Sequence, residues 1–153
     1  MIRVGLDSPV GRFWVEVRDG AVTRSGWGPA DDGAGTEDPV ACRALAELRA
    51  YFAGGNAGFA VPLRPGASAS TMRVLDAMRA IPHGETRTYG DLSRDLGLPP
   101  QAVGRACGAN PIPVLIPCHR VLGAGGLGGF SAPGGVETKV ALLKHEGAYS
   151  LLL

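Results

Sequence analysis

Thr88-Tyr89-Gly90-Asp91-Leu92-Ser93-Arg94-Asp95-Leu96-Gly97-Leu98-Pro99-Pro100-Gln101-Ala102-Val103-Gly104-Arg105-Ala106-Cys107-Gly108-Ala109-Asn110-Pro111 carries the caps and breaks of two short helices in close succession. Thr88 with Asp91 three residues later is the pattern of a capping box, and Gly97 is a natural stop for the helix they open. Pro99-Pro100 then leads into a second helix, predicted from Pro100 to Ala109 and ended by Asn110-Pro111. A short helix, a tight turn and another helix make a helix-turn-helix.

Upstream, Ser68 or Ser70 caps a helix in which Val74, Leu75, Met78 and Ile81 recur at helical spacing, until Pro82 and Gly84 stop it. Downstream, the continuous apolar run Val114-Leu115-Ile116 suits a buried strand, and it delivers Pro117-Cys118-His119-Arg120. A glycine-laden loop from Gly123 to Gly135 follows. The last predicted helix turns Val136, Val140 and Leu143 inward, with Glu137 in its first turn and Lys144 in its last, both suited to the helix dipole.

Before residue 67 the pattern changes. Ile2–Leu6, Phe13–Val17 and Val22–Trp27 are short alternating runs punctuated by Ser8-Pro9, Asp19-Gly20 and Gly28-Pro29, and read as antiparallel strands and hairpins. Asp38-Pro39 then opens a helix with Ala41, Leu45, Leu48 and Phe52 on one face, ended by Gly54-Gly55. The glycine- and proline-rich stretch of residues 55–67 reads as a connection. The expected architecture is therefore α/β of the α+β kind in two lobes, residues 1–66 and 67–153, since 153 residues are few for two independent domains.

Composition bounds function only loosely. Twenty-four glycines are about twice the usual ~7% share, so many tight turns or close backbone approaches are implied. The net charge is +1, and it divides unevenly: residues 1–66 hold seven basic against eight acidic side chains, residues 67–153 eight against six. That permits an anionic partner for the second lobe but falls short of a nucleic-acid-binding stripe. No apolar leader and no run of ~18 apolar residues is present, so a soluble, cytoplasmic protein without membrane attachment is expected. Cys42, Cys107 and Cys118 form neither an even disulfide set nor a C-x-x-C pair, which predicts separate reduced thiols and no metal. Cys42, on its helix, is expected in the core.

The chemistry points to Cys118. A thiolate rather than a thiol is the nucleophile, so something must activate it. His119 is adjacent, but neighbouring side chains on an extended backbone point opposite ways, and coupling them needs a turn or a bridging water. Glu146, near the end of the last helix, is placed to orient that histidine.

Pro117-Cys118-His119-Arg120-Val121, with Asn110-Pro111 and Ile116 before it, resembles the active-site signature of the O6-alkylguanine-DNA alkyltransferases, the methylated-DNA protein-cysteine methyltransferases. Thr88-Tyr89-Gly90, Gln101-Ala102-Val103-Gly104, Gly129-Phe130-Ser131, Lys139 and Leu142-Leu143-Lys144-His145-Glu146-Gly147 extend the resemblance over about residues 68–148. It implies a ribonuclease H-like first lobe and a winged-helix second lobe. It further implies stoichiometric, irreversible transfer of an alkyl group from O6-alkylguanine, and by extension O4-alkylthymine, in double-stranded DNA to Cys118 after base flipping. His119 would be the water-mediated base, Glu146 its partner, Asn110 the brace of the active-site turn and Tyr89 the donor to N3 of guanine. Val121, Ser131, Phe130 and Lys139 would surround the base. Gln101, Ala102, Gly104, Arg105 and Arg120 would face DNA, with the small residues of their helix suited to a minor groove. No cofactor is required, and a monomer is expected.

Two departures stand out. The family's arginine before Ala-Val-Gly is Gln101 here, with Arg105 one turn on. Phe130 stands where tyrosine is common, and Ala132-Pro133 lengthens the loop. Three other readings compete: a lesion-binding protein without transfer activity, a thiol hydrolase or acyltransferase built on Cys118, His119 and Glu146, and a helix-turn-helix regulator.

Overall fold

The computed structural model describes residues 1–130 and 132–148, which fall into two compact units, Met1–Gly66 and Ala67–Leu153. In the first, strands β1 (Ile2–Leu6), β2 (Phe13–Arg18) and β3 (Ala21–Trp27) form an antiparallel sheet in the order β1-β2-β3. Helix α1 (Pro39–Phe52) covers one face, opened by Asp38, whose carboxylate accepts from the Ala41 N–H at 2.9 Å. Val4, Phe13, Val15 and Val17 of the sheet are buried, as are Ala41, Ala44, Leu45 and Leu48 of the helix. Cys42 is not in that core: it is exposed. The buried face is set by residues 41, 44, 45 and 48, and position 42 lies about 100° round the helix from Ala41.

The second unit comprises α2 (Ala69–Arg79), β4 (Arg87–Thr88), α3 (Tyr89–Leu96), α4 (Pro100–Gly108), a 3-10 turn over Cys118–Arg120, β5 (Val121–Leu122) and α5 (Val136–His145). Ser68 caps α2. The capping box forms as expected: Thr88 Oγ1 accepts from the Asp91 N–H at 3.0 Å, and Asp91 Oδ2 accepts from the Thr88 N–H at 2.9 Å. Gly97 ends α3 in the left-handed region, at φ 66°. Strands β4 and β5 pair in parallel, joining the start of α3 to the end of the 3-10 turn.

Two expectations fail in this unit. Val114-Leu115-Ile116 is buried but is no strand; it forms a turn closed by the Ile116 N–H donating to Ile112 O at 2.9 Å, with Val114 at φ 72°. Prolines 111, 113 and 117 remove three amide donors from a seven-residue segment, which leaves it ill suited to a ladder. In α5, Val136 is 41% exposed, whereas Lys139, Leu142 and Leu143 are buried. The inward stripe therefore follows residues 139, 142, 143 and 146 instead of 136, 140 and 143.

Candidate active site

Asn110 builds the ground on which Cys118 stands. Its side-chain amide donates to Ile116 O at 2.8 Å, and its oxygen accepts from the Ile112 N–H at 3.0 Å. Two backbone groups that the prolines leave without a ladder are satisfied by one side chain. The Cys118 N–H donates back to Ile116 O at 2.8 Å. Chain direction thus reverses sharply, and the 3-10 turn replaces the extended backbone that would have thrown Cys118 and His119 to opposite sides.

Behind that turn lies a buried charged cluster. His119 Nε2 is 2.7 Å from Glu146 Oε2, and both side chains are fully buried. Arg120 completes the cluster, its Nε and one terminal nitrogen meeting the two Glu146 oxygens at 2.8 and 3.0 Å, its other nitrogen donating to Ile81 O at 2.7 Å. A carboxylate held by a bidentate guanidinium is an acceptor only, so the neutral His119 ring donates through Nε2 and leaves Nδ1 as a bare acceptor. Nδ1 is buried and has no hydrogen-bond partner among the described residues. Burial holds the His119 pKa below its ordinary value, against the raising effect of Glu146. Arg120, expected at DNA, is turned inward and 8% exposed, so no DNA contact is assigned to it.

In front of the turn is a cavity of about 290 Å³ lined by Tyr89, Gly104, Cys107, Gly108, Cys118, Gly129 and Phe130. Burial pushes the Cys118 thiol up, while the Asn110 amide and the Lys139 charge pull it down. Lys139 is wholly buried and donates to Val121 O at 2.7 Å and to Gly129 O at 3.2 Å, with its ammonium 5.9 Å from the Tyr89 ring centre. One lone pair of the Val121 carbonyl is therefore already used. Desolvation raises the Tyr89 pKa, which keeps its hydroxyl a donor at neutral pH. Cys107, at the end of α4, is pushed up to about 12 by burial, and its sulfur lies 3.5 Å from that of Met78.

Of the residues expected at DNA, Gln101, Gly104 and Arg105 are exposed on α4 and Ala102 is half-buried. Arg105 makes no ion pair or hydrogen bond among the described residues, and shares a helix face with the cavity-lining Gly104 and Gly108. Ser131 lies outside the described residues. Sequence reasoning missed Cys107 and Gly108 as cavity wall, and on α5 it placed Leu143 inward correctly but Val136 wrongly. The signal for Lys139 was its spacing of three and four from Leu142 and Leu143.

Residues 69–148 match the family described as the DNA-binding domain of 6-O-methylguanine DNA methyltransferase. The chain belongs to that family. A methylated-DNA–protein-cysteine methyltransferase of Mycolicibacterium paratuberculosis is 38% identical to it, over 95% of this chain and 92% of that one. A Thermus thermophilus protein named DNA base-flipping protein is 40% identical, over 94% and 98%. The crystal structure of Mycobacterium tuberculosis OGT in complex with DNA superposes with a TM-score of 0.82 at 35% identity, covering 98% of this chain and 95% of that one. Among the described residues no helix is long and apolar enough to cross a membrane.

Proposed function

We propose that this methyltransferase-family chain repairs double-stranded DNA by moving an alkyl group from O6 of guanine to the sulfur of Cys118, one group per monomer. The observation that carries this reading is a cysteine on the wall of a base-sized cavity with the buried His119–Glu146–Arg120 cluster directly behind it. Burial keeps the resting thiol protonated, so transfer requires a base. The unpartnered Nδ1 of His119 takes the thiol proton through a water, and Glu146 steadies the imidazolium that forms.

The sulfur then attacks the alkyl carbon, the S–C bond forming as the C–O6 bond breaks, and the electron pair passes to the purine. Tyr89 supplies a proton to N3 as that charge develops, and the Lys139 ammonium lies close enough to stabilise the thiolate. The product is a thioether, whose sulfur is a poor leaving group, so the thiol is not regenerated. The base must leave the duplex to reach the cavity, at a cost of a few kcal/mol. The exposed, small-residue face of α4 suits approach to a minor groove, with Gln101, Ala102, Gly104 and Arg105 towards DNA. Val121 and Phe130 flank the base, and O4-alkylthymine is a second substrate of the same geometry.

Titrating a fixed amount of protein against duplex bearing methyl-labelled O6-methylguanine tests this reading. A plateau at one methyl per chain supports it; continued turnover points instead to a hydrolase. A second reading, flipping without transfer, is favoured by the name of the Thermus thermophilus relative. Lesion binding with no label on protein would establish it.

A further inference from the structure

Arg120 turns all three guanidinium nitrogens inward, although it lines no part of the Cys118 cavity. Two of them grip the Glu146 carboxylate, and the third donates to Ile81 O at 2.7 Å, two residues beyond the end of α2. Glu146 Oε2 is engaged twice, since His119 Nε2 stands 2.7 Å from it. One buried carboxylate thus lies between a permanent cation and a titratable ring. The Arg120 side chain is 10% exposed and the other two are fully buried, so solvent screens this trio little.

Charge balance assigns the guanidinium its task. While Arg120 and Glu146 cancel, a proton added to His119 would leave an uncompensated charge in the core. Without Arg120 the carboxylate would stand alone beside the ring, and a proton on His119 would cancel it. A ring protonated from solvent has no lone pair left at Nδ1. Among the charged groups around the ring, Glu146 of α5 draws a proton towards it, whereas Arg120 of its own turn and Lys139 of α5 oppose one. Elsewhere on α5, Glu137 and Lys144 are exposed and His145 is half-buried. Helix α2 also packs against the turn, but it buries Val74, Leu75 and Met78, and its charged side chains Arg73, Asp76 and Arg79 are exposed.

We infer that Arg120 is a positioning residue for alkyl transfer: its guanidinium offsets the Glu146 charge, so that His119 stays neutral and keeps its Nδ1 lone pair for the Cys118 proton. The role of that lone pair rests on the transfer reading given above.

Two measurements on the full chain test it: titration of the His119 ring by NMR, and the pH profile of single-turnover methyl transfer. His83 and His145 are the other histidines, and His119→Gln identifies the signal. The wild-type ring is expected to stay neutral, with its proton on Nε2, to below pH 6.5. In Arg120→Met the ring midpoint and the acid limb of transfer should rise together by about one pH unit or more. Transfer on that limb then falls roughly tenfold or more and recovers as the pH rises. Arg120→Gln, which still offers Glu146 a donor, should move both in the same direction and keeps the test valid if Arg120→Met does not fold. Arg120→Lys retains the cation and should leave both near their wild-type positions even where its melting temperature falls.

An equal loss of transfer at every pH in the neutral variants, with the ring midpoint unmoved, would reduce Arg120 to a structural part and overturn the inference. A wild-type ring already protonated at neutral pH would overturn it too, with no variant needed. A wild-type chain that transfers no methyl overturns the transfer reading instead, and the ring titration tells the two failures apart.

Discussion

His119 Nε2 and Glu146 Oε2 stand 2.7 Å apart with both side chains fully buried, although 27 positions separate them in the chain. The same carboxylate holds Arg120 in a two-point grip. Orientation of the histidine beside Cys118 thus depends on an ion pair in the core. Removing one partner of such a pair strands the other charge, so Glu146→Ala should cost about 3–5 kcal/mol of stability in urea unfolding. Glu146→Gln retains the shape and should slow transfer by roughly tenfold or more through loss of the base's partner. Transfer at the wild-type rate in Glu146→Gln would remove Glu146 from the proton path.

Stability should also carry the mark of His119. Its folded pKa lies below the ordinary 6.5 because burial disfavours the cation. The unfolded chain then binds the proton more readily, so this contribution is present above about pH 6.5 and is lost as the pH falls below it. Thermal melts from pH 7.5 to 5 should show a decline that flattens in His119→Gln. An equal decline in both proteins would assign it elsewhere.

Asn110→Ala should unfold more readily than its half-buried position suggests. It leaves the Ile112 N–H without its partner, at about 1–3 kcal/mol, and takes from the Ile116 carbonyl one of the two donors it accepts from. Melting temperature and methyl transfer should fall together, since the turn that presents Cys118 loosens.

The three thiols should react in a definite order. Cys42 is exposed, while Cys107 is buried and pushed up to about 12. Iodoacetamide at pH 8 should label Cys42 first and leave Cys107 unmodified in the folded chain. Early labelling of Cys107 would mean that the cavity wall opens.

On α4, Arg105→Ala should weaken duplex binding at any sequence and reduce the salt slope by about one. Gln101→Arg should speed transfer from duplex while leaving transfer from the free alkylated base unchanged, because only the duplex needs its stack filled after flipping. No gain on duplex would show that the glutamine is no handicap.

Much of the second unit was legible in its sequence because local rules act there without competition. Thr88, Asp91 and Gly97 determine α3 by hydrogen bonds within a few residues. Cys118, His119 and Glu146 were found by residue type and motif. The segment of residues 111–117 was misread because apolar runs look alike in strands and buried turns. Its prolines, which remove amide donors, were the feature to weigh. Arg120 reads as a DNA-facing charge and Lys139 as a residue beside the base, and neither reading foresees the partners Glu146, Ile81, Val121 and Gly129 that the fold brings to them. Such long-range pairing leaves no mark on charge counts.

Cys118 is the proposed acceptor of the alkyl group. Wild-type protein and Cys118→Ser, each checked for an unchanged melt, are incubated with a duplex holding one O6-methylguanine, and the peptide containing residue 118 is weighed. A gain of about 14 Da on that peptide in one-to-one yield, absent from the serine variant, is the predicted result. Repaired DNA with an unmodified residue 118, or the methyl on Cys42 or Cys107, would exclude Cys118 as the acceptor.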